Sequence, residues 1–495
     1  MSITGEKISA QDIIKSYKVK PEEHWLSVQR KKTLTLFRQM SKQVPAYVKF
    51  LKQNDFDPKK VKNYEDLKTV PFIDKKNYFQ RFPISEFVWQ NEFERTPFVF
   101  TSTSGSTGMP TYFLRDEILD WQFSVLAQMF MDKGRKGTTL LIDCFGMGVW
   151  IGGLITYQAF RLCALRGYPL SIITPGINKK EIFHSLKNAA PHFDNVILAG
   201  YPPFIKDVID EAESEGIKFG SHMRLFFAAE GFTENFRDHI VKNLHVRNLY
   251  FDTMNIYGTA EHGGMASETP GSILIRRLAI KNPAVYEEIF HNEKLPTLAQ
   301  YNPMFISFEA EQNKILISAH STMPIFRYKI GDNGGILSLS QIESAFTKNK
   351  INLRSEAKRL RIDLLDLPFV YIYERSDLST KLYGAIIYPE PIKEALLDKR
   401  LRRHVSGKFT LITKFDPKQN EYLEINIELL PKFKSSAALH KLCQKLIVES
   451  LLKKNAEYKN NYSSIPHKVT PKIVFWTYGD PIYFSGQGKQ KWTKN

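Results

Sequence analysis

Between Phe98 and Asp332, short apolar runs alternate with stretches long enough for a helix. The runs are Thr139–Ile142, Leu170–Ile173, Asn195–Ala199, Leu225–Ala228 and Asn248–Phe251. Parallel strands need crossovers of about that length, so the rhythm predicts an α/β fold with a substantially parallel sheet. Upstream, Trp25–Phe50 places apolar residues at helical spacing until Pro45 interrupts, and Pro71 closes the next segment. Downstream, Ala299–Ala319 alternates like a hairpin turning at Gln312-Asn313, and beyond Tyr371 the texture becomes that of a smaller unit. There Thr410–Leu429 reads as strands, Ser435–Lys454 as an amphipathic helix and Lys472–Thr477 as a last strand. The expected organisation is a large N-terminal domain over 1–374, with mixed, substantially parallel sheets and helices. A small mobile α+β C-terminal domain follows over 375–495.

One segment, Leu140–Phe160, is long and apolar enough to imitate a membrane span. It carries Asp143, Gln158 and several glycines, and Arg161 follows at once, so a buried strand passing through a Gly-rich turn into a helix is expected instead. Cys144, Cys163 and Cys443 are the only cysteines, odd in number and far apart, which excludes a disulfide scaffold and a zinc ribbon. Met1–Ala10 lacks a basic start followed by an apolar run, so no secretory leader is expected and the expected location is cytoplasmic. The formal charge is +17. Much of it falls from Ser376 onward, where 21 Lys and Arg face 11 Asp and Glu. A basic C-terminal unit fits an anionic partner such as a nucleotide, coenzyme A or an acidic carrier protein, and also fits a merely solubilising surface. No nucleic-acid-binding signature accompanies it.

The most informative stretch is Phe98-Val-Phe-Thr-Ser-Thr-Ser-Gly-Ser-Thr-Gly-Met-Pro110. A short strand runs into Ser102, Thr103, Ser104, Gly105, Ser106, Thr107 and Gly108. Hydroxyls donate to phosphate oxygens and glycines let backbone N–H groups approach, so such a loop suits a polyphosphate. No Gly-Lys-Ser/Thr ends it, which excludes a Walker-type loop. Its residue order resembles the phosphate loop of the adenylate-forming superfamily: acyl-CoA synthetases, adenylation domains and luciferases. The usual lysine after the proline is Thr111 here, and the next base is Arg115.

Four further motifs follow in the family's order: Ile256-Tyr-Gly-Thr-Ala-Glu261, Pro324–Asp332 with its Arg-Tyr-Lys-Ile-Gly-Asp, Tyr373–Gly384, and Phe484–Trp492. Singly, each has an ordinary reading: a core aromatic, a turn aspartate, a helix cap, a basic tail. The resemblance implies that Tyr257 packs on adenine, Thr259 approaches the α-phosphate, Glu261 holds Mg²⁺ and Asp332 takes the ribose hydroxyls. It also puts Arg375 near the ribose, makes Asp377 the hinge and makes Lys489 the catalytic lysine, with Lys491 as its competitor and Trp492 as a tail anchor. Val44–Tyr47, Leu67–Lys75 and Ala228–Glu234 resemble the phenylacetate–CoA ligase branch, which places Glu230 near the nucleotide. The branch's zinc cysteines are absent, so no zinc is implied.

By family topology the acid pocket takes Tyr201, Phe226, His262 and Gly263. The implied activity is ATP·Mg²⁺-dependent conversion of an aryl or fatty acid to an acyl-adenylate, then transfer to a thiol, coenzyme A in the first instance. The alternatives are a carrier-protein phosphopantetheine or an amine as acceptor, or a non-catalytic homologue that binds nucleotide or an acyl ligand. No nucleic acid or transmembrane segment is expected.

Overall fold

A computed structural model describes residues 8–102, 111–133, 136–220, 222–244, 246–291, 296–373 and 379–484. The alternating region builds the parallel half of an eleven-stranded mixed sheet. Strands Leu170–Ile173, Thr139–Asp143, Asn195–Gly200, His222–Ala228 and Thr253–Thr259 lie side by side and parallel. Helices Ile151–Leu165, Lys179–Asn188, Pro202–Ala212 and Glu234–Asn243 connect them. Thr139–Asp143 and Asn195–Gly200 are buried at every position, which is why they read as unbroken apolar runs rather than alternations. The apolar stretch from Leu140 divides into that strand and the Ile151–Leu165 helix. Among the described residues no helix is long and apolar enough to cross a membrane.

After Thr253–Thr259 the pairing reverses. Gly263–Ser267, Thr297–Gln300, Phe369–Tyr373, Ile325–Leu337, Lys314–Ala319 and Ile306–Glu311 continue the sheet antiparallel. The expected hairpin turns at Gln312 and Asn313, whose φ values of 49° and 62° are those of a two-residue turn matched to strand twist. Helices Ala10–Val19, Glu22–Gln43 and Pro45–Gln53 lead the chain, and the latter two contribute to the core that covers this half. Ile73 is stitched to the long strand, donating to Arg327 O (3.2 Å) and accepting from Lys329 N–H (2.8 Å).

One run departs from expectation. Asn248–Phe251 is not a strand: Leu249–Asp252 forms a single helical turn, and the strand starts at Thr253. The Asn248 side chain accepts from Tyr250 N–H (3.1 Å) and the Asp252 carboxylate accepts from Asn248 N–H (3.1 Å). These local side-chain bonds outweigh the strand preference of Leu-Tyr-Phe.

Beyond residue 379 no described strand joins the large sheet. Thr380–Leu382 pairs with Ala385–Ile387, and Val405–Phe415, Glu421–Leu429 and Lys472–Trp476 form a separate three-stranded sheet flanked by helix Ala437–Lys454. The expected domain boundary falls at 374–378, outside the described residues.

Buried charge ties the two halves of the large sheet together. Glu268, with no side-chain exposure, meets Arg237 at 2.7 Å and Arg276 at 3.3 Å. Its other oxygen accepts from Asn255 N–H (3.1 Å), while Arg237 also donates to Thr253 Oγ1 (2.6 Å). The start of the Thr253–Thr259 strand is therefore pinned to two helices by charge. Glu268→Gln leaves the buried Arg237 and Arg276 to share Glu234, 3.0 and 3.2 Å from them, and should cost about 3–5 kcal/mol. Urea unfolding followed by circular dichroism measures it; a loss below about 1 kcal/mol would show that the cluster is not a structural tie.

Candidate active site

In open α/β sheets ligands bind at the carboxyl ends of the strands. Here His222–Ala228 ends in Ala229, a non-glycine residue at φ 76°, in the left-handed region that costs about 1–3 kcal/mol unless its surroundings enforce it. Enforcement comes from the next strand: Asn255 Nδ2 donates to Glu230 O at 3.0 Å, and Asn255 is itself held by Glu268. The turn thus presents Glu230, 7% exposed, at the strand end.

Thr253–Thr259 delivers the next groups. Tyr257 Oη donates to Asp332 Oδ2 at 2.5 Å, joining residues 75 positions apart. Tyr328, on the same long strand as Asp332, donates its hydroxyl to Glu261 Oε1 at 2.9 Å. Lys75 Nζ lies 3.4 Å from that same oxygen. Thr259 Oγ1 is buried and has no hydrogen-bond partner among the described residues, so a hydroxyl beside Glu261 is left for a ligand to satisfy. Ser102 is buried at the end of its strand and donates its N–H to Val149 O (2.9 Å). The rest of the loop, Thr103 to Gly108, lies outside the described residues, as do Arg375, Asp377, Lys489, Lys491 and Trp492. Arg115 does not substitute for the missing loop lysine on the surface: its guanidinium is 1% exposed and paired with Asp120 at 3.0 Å.

Of the expected acid-pocket residues, Tyr201 caps helix Pro202–Ala212 and sets its ring edge against Phe145 (centroids 5.2 Å apart). His262 is 2% exposed with Nδ1 unpartnered among the described residues. Burial, reinforced by His320, pulls its pKa down to about 4, so the imidazole is neutral. Gly263 has φ 68°, and a Cβ there would lie 2.5 Å from Ile155 Cδ1. Phe226 has no exposed surface and sits among Phe123, Phe130 and Phe160, part of the wall rather than of an opening.

Among the described residues, the C-terminal part meets this crevice with strand Thr380–Leu382 and the turn after it. Gly384 donates its N–H to Glu230 Oε1, and Lys381 Nζ donates to Ala229 O (2.5 Å). A Cβ on Gly384, at φ 82°, would come 2.9 Å from the Tyr201 ring.

No family model matches the chain. It is 24% identical over 247 residues to a phenylacetate-coenzyme A ligase of Thermus thermophilus, covering 49% of this chain and 51% of that one. It is 25% identical over 297 residues to a phenylacetate-coenzyme A ligase of Aromatoleum evansii, covering 58% and 61%. The matches thus span about half to three-fifths of each relative's length. Among solved structures, a 2-hydroxyisobutyryl-CoA ligase holding an acyl-AMP and CoA in its thioesterification state aligns over 100% of this chain and 94% of its own, with TM-score 0.64 at 13% identity. The same ligase in an open conformation aligns at 0.53, also at 13% identity, over 100% of this chain and 97% of its own. Over about half its length the chain resembles phenylacetate–CoA ligases, and it shares the fold of that solved acyl-CoA ligase.

In this ligase-like chain Lys75 and Tyr328 belong to no motif assignment of their own. Lys75 ends the Leu67–Lys75 segment and Tyr328 sits inside the Arg-Tyr-Lys-Ile-Gly-Asp motif; only their meeting at Glu261 in three dimensions reveals them. A buried carboxylate beside an unsatisfied hydroxyl fits Mg²⁺, which takes one or two protein oxygens and otherwise keeps phosphate and water.

At the seam with the C-terminal part, burial raises the Glu457 carboxyl to about 7, opposed by Lys381 and reinforced by Glu230. A carboxyl raised in the folded state contributes stability that is complete below its ordinary pKa of about 4.5 and is lost as pH rises through about 7. Glu457→Gln removes that loss, so its melting temperature should gain on the unsubstituted protein from pH 5 to about pH 7 and level off by pH 8. Parallel melting curves across that range would discard the assignment.

Proposed function

We propose that the chain activates a carboxylic acid with ATP, releasing pyrophosphate, and passes the acyl group to the thiol of coenzyme A. The observation that carries this reading is the Tyr257–Asp332 hydrogen bond beside the Tyr328–Glu261–Lys75 cluster. It brings three separate sequence motifs to one strand-end crevice.

In this reading Tyr257 packs against adenine and Asp332 receives the ribose hydroxyls, since an ionised carboxylate can accept from both at once. Thr259 and the Ser102–Gly108 loop donate to phosphate oxygens, with Lys75 as a positive charge beside them. Glu261 would hold Mg²⁺, which supplies charge neutralisation at the phosphates. Lys489 stabilises the charge that develops as the acid's carboxylate attacks the α-phosphate, an electrostatic role of the kind that preorganised donors perform. His262, neutral and buried, offers Nδ1 to the acid. The unit after the hinge at Asp377 then turns, withdraws Lys489 and excludes water from the mixed anhydride. The stronger likeness to the ligase in its thioesterification state supports reading the present arrangement as the one suited to the second half-reaction.

The decisive experiment is ATP–pyrophosphate exchange with phenylacetate, benzoate and octanoate. Exchange with none of them, in a protein that binds ATP, would favour the non-catalytic alternative. With an active acid, replacing coenzyme A by a phosphopantetheinylated carrier or an amine identifies the acceptor.

Two substitutions test individual roles. Asp332→Ala removes a charge-assisted acceptor worth about 1.5–3 kcal/mol per bond, so ATP should bind at least about tenfold more weakly. Unchanged affinity by calorimetry would remove the ribose role. Lys489→Ala should slow pyrophosphate exchange by about two powers of ten or more, while thioester formation from pre-made acyl-adenylate survives. If Lys491→Ala alone produces that pattern, the role moves two residues along.

A further inference from the structure

Helix Pro202–Ala212 carries two charged side chains that are each 1% exposed, Lys206 and Asp207. Asp207 makes its hydrogen bonds outside the large sheet and its helices. Its Oδ2 accepts from Tyr383 Oη at 2.8 Å and its Oδ1 accepts from Lys468 Nζ at 2.8 Å. Lys206 pairs with Asp210 on its own helix and donates to Asn420 Oδ1 at 2.8 Å. Tyr383, Asn420 and Lys468 come from three different places in the C-terminal part: a hairpin turn, the approach to strand Glu421–Leu429, and helix Pro466–Val469.

Burying an unpaired carboxylate costs several kcal/mol, and here the pairing groups arrive only with the C-terminal part. An apolar seam resists opening because it exposes hydrocarbon to water. This one combines a shared apolar cluster with buried hydrogen-bonded charge, and each polar partner can be taken up by water when the parts separate. Such a contact favours one orientation without welding the two parts together, as suits an interface between units that move. Its position adds the functional link. Tyr383 immediately precedes Gly384, whose backbone meets Glu230 and the Tyr201 ring at the crevice.

We propose that Asp207 is a positioning residue: with Tyr383 and Lys468 it holds the C-terminal part in the orientation that serves thioester formation, and it has no part in adenylation. This deepens the ligase reading and rests on it for the half-reaction it names; the docking itself does not.

The test uses the full chain carrying Asp207→Asn, with Tyr383→Phe as a second variant should the first melt early. In amide hydrogen exchange followed by mass spectrometry, both 202–212 and 379–388 should exchange at least fivefold faster than in the unsubstituted protein, while 139–143 stays unchanged. In parallel, with whichever of phenylacetate, benzoate and octanoate supports exchange, pyrophosphate exchange should stay within twofold. Thioester formation from the corresponding pre-made acyl-adenylate should fall at least tenfold. Unchanged protection at 202–212 and 379–388 overturns the latch, and so does an equal fall, or no fall, in both half-reactions. If the unsubstituted protein exchanges pyrophosphate with no acid, the ligase reading fails and the hydrogen-exchange result alone decides whether Asp207 docks the two parts.

Discussion

The reversal of strand direction after Thr259 governs where everything else can lie. Where Thr253–Thr259 and Gly263–Ser267 pair antiparallel their backbones nearly touch, a Cβ on Gly258 falling 2.4 Å from Gly263 O; one on Gly264 would fall 2.2 Å from Phe123 Cε2 of helix Glu117–Asp132. Side chains are excluded there by contact alone. The reversal sets the antiparallel half, with Tyr328 and Asp332, beside the carboxyl end of the parallel half, with Tyr257, Thr259 and Glu261. Neither half alone holds a complete set of polar groups.

Polar groups in this crevice are costly to bury, and the chain handles that cost in two ways. Some are satisfied within the protein, as Glu230 is by the Gly384 N–H and its carbonyl is by Asn255. Others are left wanting a partner: Thr259 Oγ1 and His262 Nδ1 are buried without one among the described residues. A protein selected for stability alone would have filled such positions with carbon, because an unsatisfied buried polar group costs about 1–3 kcal/mol. The stability forgone is concentrated at the strand ends where a ligand would restore it.

Much of this was legible in the residues, for identifiable reasons. Doubly buried parallel strands are apolar along most of their length, so the Leu140–Ile142 and Val196–Ala199 stretches of strands Thr139–Asp143 and Asn195–Gly200 announced themselves. The Asn248–Phe251 run misled because its decisive interactions are two side-chain hydrogen bonds that composition does not encode. Tyr257, Glu261 and Asp332 could be named because motif order carried them. Lys75 and Asp207 could not. Each acquires its meaning from a partner far along the chain, Glu261 for one and Tyr383 and Lys468 for the other, and no local periodicity records such a meeting. Phe226 shows the opposite limit: its place at a strand end was readable, but which face of the strand it served was decided by packing against three other phenylalanines.

Gly384 is bound by two constraints that have nothing to do with each other. Its φ of 82° excludes most side chains on backbone grounds, and the Tyr201 ring excludes them again on space, 2.9 Å from where a Cβ would stand. Trimming Tyr201 relieves the second but not the first, so no exchange between the two positions can compensate a lost glycine. A smaller side chain at Tyr201 meets no backbone obstacle, only the cost of the space it leaves in the core, whereas Gly384 is a dead end for substitution. The turn that meets the crevice is thereby a fixed shape, and any change in the room beside it has to come from the Tyr201 side.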